Sequence, residues 1–137
     1  MTVTTFDPAD DLIIVHARLL GADGQERELR LVVDTGAGPT IIAPELLDEL
    51  GYSARQHGEQ VASTRSIAGR EQGYMLRVKQ LECLGVVEQD FRVYAQDLPS
   101  GWDIDGLLGL SFLRLLNYEV RSLEGRILVE RAVAPAA

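Results

Sequence analysis

Cysteine occurs once in this sequence, as Cys83, so no disulfide can form within the chain. A lone cysteine fits a reducing compartment, and a cytoplasmic location is expected. Basic residues are scarce. Lys and Arg number 13 against 21 Asp and Glu, a net charge of −8, and they are scattered singly along the chain. A nucleic-acid surface needs clustered Lys and Arg, so that partner is excluded. No apolar run approaches the roughly 20 residues needed to cross a bilayer, so no membrane segment is expected. The opening "MTVTTFDPADD" has neither the basic region nor the apolar region of a secretion signal. His16 and His57 stand far apart, without i, i+4 spacing or CxxC pairs, so the sequence offers no metal site and no cofactor is expected. Internal repeats and low-complexity segments are missing too, apart from a frayed tail expected over residues 132–137.

What remains is the make-up of one globular domain. The 137 residues are 46% apolar and 25% charged, enough for a single core. One domain over 1–137 is expected, its core running from about 12 to 131. Residues 12–20, "LIIVHARLL", read as a strand, followed by a turn with Asp23-Gly24 and a second strand over 28–34. In that second strand Leu29, Leu31 and Val33 alternate with Arg30, Val32 and Asp34. Residues 44–50 read as a short helix, with Pro44 at its start and Gly51 just past its end. Further strands are expected over 59–64, 73–81 and 86–96, with a hairpin over 118–121 and 126–131. Ser111 is placed to cap a short helix through Leu116. Many short strands with brief helices indicate a mainly-β barrel or sandwich.

One stretch poses a chemical question. "LRLVVDTGAGPTIIAP", residues 29–44, carries an aliphatic strand into an acid and then into Thr-Gly-Ala-Gly. Asp34 is either an ordinary turn residue or a reagent. Other chemistries fit poorly. "GLSFL", residues 109–113, lacks the second glycine of a nucleophile elbow, so Ser111 is no serine-hydrolase nucleophile. "GAGPTI" begins like a dinucleotide fingerprint, but Ile41 stands at the third glycine position. Pro39, Thr40 and Ile41 also suit a strand better than a helix.

Asp34-Thr35-Gly36 after a hydrophobic strand resembles the active-site turn of aspartic proteases. "DGLLGLSFLRLL", residues 105–116, resembles the hydrophobic-glycine segment and helix that close each lobe in that family. Between them "STRSIAGREQGYMLRV", residues 63–78, resembles the flap hairpin, its tip near 67–72. The order covers about residues 32–130. It is similar to the retropepsin-like family, and more closely to its bacterial single-domain members of the Asp-Thr-Gly-Ala type.

The resemblance implies a mainly-β acid-protease barrel with one flap hairpin and one or two short helices. It implies an aspartic endopeptidase acting on a peptide or protein substrate without metal or cofactor. Such catalysis needs two carboxylates sharing one proton across a water. Asp-Thr-Gly occurs once here and the chain is too short for two lobes, so a homodimer is expected, each copy bringing its Asp34 to a two-fold axis. By resemblance Thr35 bonds across that axis, and Gly36 permits the turn and a close N–H approach to the carboxylate. Ala37 keeps the substrate channel open. Val32, Gly38, Pro39, Ile41 and Leu107 would contact substrate, as would Ile67, Ala68 and Gly69 of the flap. The walls are mostly aliphatic, which predicts apolar side chains beside the cut, and Asp105 adds a place for a basic one. Gly69 and Gly73 would give the flap freedom to open. Viral members pair an acid two residues after the motif glycine with an Arg after the later conserved glycine. Here those positions are Gly38 and Leu110, so that brace is missing. Two other readings stay open: the same barrel as a non-catalytic dimerisation or peptide-binding module, and a small-ligand β-barrel in which Asp-Thr-Gly is a plain turn.

Overall fold

The computed structural model describes residues 1–58, 60–66 and 69–130, with the backbone alone at 60–66 and 69–72. Strands β2 (Ile14–Leu20) and β3 (Glu26–Val33) pair antiparallel across the Asp23-Gly24 turn. Gly24 takes a left-handed φ of +88°, a conformation that disfavours any side chain. Along β2, Val15, Ala17 and Leu19 point into the core, while His16 and Arg18 face solvent. That period of two is what the sequence alternation anticipates.

Six strands close into a barrel. Next to β3 lies β8 (Gly106–Leu108), parallel to it, with Val32 opposite Leu107. The ring continues through β4 (Ile41–Ile42), β7 (Val86–Ala95) and β6 (Gly69–Cys83), and β6 returns to β2 with Ala17 opposite Cys83. The fold class is therefore mainly β and built around a barrel, as expected. β8 and β4 approach closely because position 106 is glycine. A Cβ there would lie 2.1 Å from the carbonyl oxygen of Ile41, which no side chain could tolerate.

β6 is 15 residues long and does two jobs. Its second half is barrel wall. Its first half pairs with β5 (Gln60–Ser66) in a hairpin that projects from the barrel. Ser66 pairs with Gly69, so the connection falls on residues 67 and 68, and the expected substrate contacts Ile67 and Ala68 lie outside the described residues. Gly73 allows close packing, since a Cβ there would meet the carbonyl oxygen of Ala95 at 2.2 Å.

The helices are short. α1 (Pro44–Glu49) starts on Pro44 and ends before Gly51, whose φ is +85°, and it buries Leu46 and Leu47. α2 (Ala54–His57), which the sequence pattern did not reveal, is capped by Ser53 Oγ accepting from Gln56 N at 3.2 Å. α3 (Leu110–Leu113) is shorter than the 111–116 expected, and Gly109, not Ser111, is its N-cap. No described helix is long and apolar enough to cross a membrane.

A second sheet lies under the barrel in the order β1 (Thr2–Thr5), β10 (Arg126–Glu130), β9 (Asn117–Arg121), antiparallel throughout. Regular structure thus begins well before residue 12, where the core was expected to start. The opening segment forms a strand because β10 offers it a partner. Ile127 and Val129 of β10 are buried in the same core as Leu19, Leu31, Leu108 and Phe112. Phe112 and Phe91 meet edge to face, with centroids 5.5 Å apart. Each such fully buried side chain contributes about 1.5–3 kcal/mol of transfer free energy, so the lower sheet and the barrel stabilise each other.

Candidate active site

Asp34 is the first residue beyond β3, and its N–H donates to the carbonyl oxygen of Leu108 in β8 at 3.0 Å. The strand pairing therefore reaches the acid itself. Gly36 N–H donates to Asp34 Oδ1 at 2.9 Å, and Ala37 N–H to the Asp34 carbonyl at 3.2 Å. The backbone of Gly36 is not left-handed, so the turn does not demand glycine for its φ. What glycine provides is room: a Cβ at position 36 would sit 3.2 Å from Asp34 Oδ1. The carboxylate is half-buried and fixed in direction, with its second oxygen uncommitted to the turn.

The loop after Asp34 is bolted to α3. Leu110 N–H donates to the Ala37 carbonyl at 2.8 Å and Ser111 N–H to the Gly38 carbonyl at 2.9 Å. The first N–H groups of a helix have no partner inside it, and here the loop provides one. Gly109 makes the contact possible, since a Cβ there would lie 2.1 Å from the Pro39 carbonyl oxygen. Thr40 is fully buried, and its Oγ1 sits 2.9 Å from Ser111 Oγ. Thr40 Oγ1 also accepts from Gly109 N–H at 3.2 Å, while Thr40 N–H donates to Ser111 Oγ at 3.1 Å. So Ser111 does not cap its helix, as the sequence suggested. Its hydroxyl crosses 71 positions of sequence to hold the acid-bearing loop. Two hydroxyls join the segments that a charged pair would have joined had Gly38 and Leu110 been acid and arginine.

Asp34 opens on a cavity of about 380 Å³. Of the expected subsite residues, Val32 and Leu107 line it. Ile41 is buried beneath, between Leu107 and Tyr94, and Ala37, Gly38 and Pro39 belong to the bolted loop. Thr35 is exposed beside the acid. Asp105 is engaged elsewhere: its Oδ2 accepts from Arg30 N–H at 2.8 Å, its own N–H donates to the Arg30 carbonyl at 2.8 Å, and its carbonyl accepts from Ala43 at 3.0 Å. It stitches a loop to β3. The sequence reading missed Asp11, Leu12, Ile13, Val33, Pro99 and Trp102, which also line the cavity. One signal was there: a lone tryptophan in the Pro-, Gly- and Asp-rich stretch over 97–105, where nothing local would bury it. The histidines lie apart from this site. His16 pairs with Glu28 on the outer face of the β2–β3 hairpin, and His57 Nδ1 accepts from Ser53 N–H at 3.1 Å. No cluster of three or more His, Cys, Asp or Glu that could hold a metal is found among the described residues.

A family model described as aspartyl protease matches residues 15–112. The chain belongs to the aspartyl protease family. Within it the fold is retropepsin-like. A retropepsin-like aspartic protease from Rickettsia conorii superposes with a TM-score of 0.65 at 16% identity, covering 93% of this chain and 88% of that one. EIAV protease, solved with the inhibitor HBY-793, superposes with a TM-score of 0.55 at 18% identity, covering 77% of this chain and 88% of that one. Comparison with curated proteins finds no match. The family match spans β2 through α3 and so contains both bolted segments, the Asp34 loop and the start of α3.

Proposed function

We propose that this aspartyl protease family member is an endopeptidase working as a homodimer, one Asp34 from each copy acting on a shared water. The observation that carries the reading is the placement of Asp34. It stands at the end of a strand, its carboxylate oriented by Gly36 N–H at 2.9 Å, beside a largely aliphatic cavity of about 380 Å³. In the reaction one carboxylate takes a proton from the water as its oxygen attacks the scissile carbonyl carbon. The other, protonated, donates to the carbonyl oxygen, and collapse of the tetrahedral intermediate releases the protonated amine. The reaction needs one proton held between the two carboxylates, so activity is expected to peak below neutrality.

One Asp-Thr-Gly per chain leaves the second acid to a second copy. The lower sheet supports a place for it. Among the described residues β10 is paired on both sides, whereas β9 and β1 are each paired on one. β9 begins soon after α3, whose first N–H groups hold the Asp34 loop. Antiparallel pairing of β9 with its equivalent in a second copy is isologous and extends a sheet without disturbing either barrel. Thr35, exposed beside Asp34, would then bond across the axis. An extended peptide would lie under the β5–β6 hairpin, which acts as the flap and excludes water on closing.

The test is hydrolysis of an unfolded protein at mildly acidic pH, followed across protein concentration. Cleavage should vanish in Asp34→Asn and be blocked by a statine-type inhibitor. Activity retained in Asp34→Asn, or a rate still climbing beyond about pH 8, would contradict a proton-sharing pair. The rival reading, a barrel that binds or dimerises without turnover, drew its support from the missing acid–arginine brace. The Thr40–Ser111 bonds provide a brace between the same segments, which favours catalysis.

A further inference from the structure

We propose that the cavity beside Asp34 selects a basic substrate side chain, lysine or arginine, next to the scissile bond, and that Asp11 and Trp102 are the residues that read it. The inference rests on the proposed role of Asp34 and names the substrate class that site would take. Its basis is the division of labour around the cavity. Val32, Leu107, Leu12 and Ile13 give aliphatic walls along which the methylene stem of a long side chain can lie. The same lining includes one aromatic residue, Trp102, and one acid besides Asp34, Asp11. Trp102 is 47% exposed, an unusual state for a large aromatic ring that nothing in its own loop covers. Asp11 is exposed and has no hydrogen-bond or ion-pair partner among the described residues. Asp103 faces Arg30 at 3.5 Å, Asp105 accepts from Arg30 N–H, and Asp10 and Asp7 accept from backbone N–H groups of their own segment.

An ammonium or guanidinium head carried into this cavity would find an aromatic ring and a carboxylate in its lining, the pair of groups that binds organic cations. Among the described residues no basic side chain lines the cavity, so there an acidic side chain would find only like charge and apolar wall. The basic residue is thus read by Asp11 and Trp102, not by Asp105, whose carboxylate is already committed to β3.

The experiment uses two peptides identical except for one residue flanking the cleaved bond, lysine in one and norleucine in the other. Each is prepared in a cleavable form and in a form with a reduced, uncleavable bond. Trp102 is the chain's only tryptophan, so its fluorescence reports occupancy of the cavity directly. In the parent protein the lysine peptide should be favoured about tenfold in kcat/KM and in affinity, in line with a partly desolvated cation on a ring and a carboxylate. Asp11→Asn should bring the two peptides to within about twofold of each other, and Asp11→Lys should reverse the preference. Equal use of both peptides by the parent, or a lysine preference that survives in Asp11→Asn and Asp11→Lys, overturns the proposal while leaving protease function intact. Binding with the lysine preference but no cleavage supports the pocket and defeats the catalytic reading. Neither binding nor cleavage defeats both.

Discussion

Replacing Thr40 by valine keeps the shape of a fully buried side chain and deletes one hydroxyl. Two interactions go with it. The buried N–H of Gly109 loses its acceptor at 3.2 Å, and Ser111 Oγ loses its partner at 2.9 Å, though it still accepts from the N–H of residue 40. Leaving one buried donor unsatisfied costs about 1–3 kcal/mol, and the lost hydroxyl pair adds about 1 kcal/mol, for a total near 3 kcal/mol. For a domain of this size that lowers Tm by roughly 10 °C. Thermal unfolding followed by circular dichroism measures the loss, and urea unfolding with an unchanged m-value shows that compactness is retained. Ser111→Ala and the double variant complete a cycle. The hydroxyls bond each other, so the two losses should fall short of additive by about 1 kcal/mol. Because these bonds hold the loop that carries Asp34, cleavage measured well below Tm should also drop, by roughly tenfold, with little change in peptide affinity. A Thr40→Val protein melting within about 2 °C of the parent would refute the view that this pair braces the site.

Gly36→Ala should preserve the fold and cut cleavage strongly, because the added methyl, 3.2 Å from Asp34 Oδ1, has to turn the carboxylate or tilt the Gly36 N–H away from it. Melting temperature and kcat measured together check this. A variant with normal turnover would show that the 2.9 Å bond does not set the acid's direction. Tyr52→Phe removes a buried hydroxyl that donates to the Leu20 carbonyl at 2.6 Å and accepts from Lys79 N–H at 3.0 Å. It should destabilise by about 2 kcal/mol in urea unfolding without touching activity per folded molecule. Burial pushes the Cys83 thiol up to about 12, with the Leu84 backbone N–H lowering it and the charge of Glu82 raising it. Thiol reagents at pH 8 should therefore label the unfolded chain and spare the folded one. An unfolded thiol ionises near 9, so its contribution to stability is intact below that pH and is lost as pH climbs towards 12. Rapid labelling under native conditions would contradict this.

The elements legible in the sequence are those whose cause is local. Asp23-Gly24 announces the β2–β3 turn because few residues but glycine take a φ of +88°. Pro44 and Gly51 bracket α1 for similar reasons, and the aliphatic run ending at Asp34 places that acid at a strand's end. What stayed hidden depends on partners distant in sequence. β1 is a largely exposed "TVTT" that becomes a strand only where β10, some 120 positions on, offers it a ladder. Ser111 looks like a cap in isolation, but Thr40 competes for its hydroxyl and wins. The cavity lining shared by Asp11 and Trp102 joins segments about 90 positions apart, and no periodicity in either records the other. Asp105 illustrates the reverse case, an acid in a suggestive position whose carboxylate is spent on backbone.

The central position of β10 has one more result. Each chain pairs β10 on both sides with its own strands and buries Ile127 and Val129 in its own core, so its unfolding transition should not depend on protein concentration. If copies meet only along β9, they can part and rejoin without unravelling. Catalytic output would then rise with the square of abundance in dilute solution, and crowding of the copies alone would be enough to switch them on.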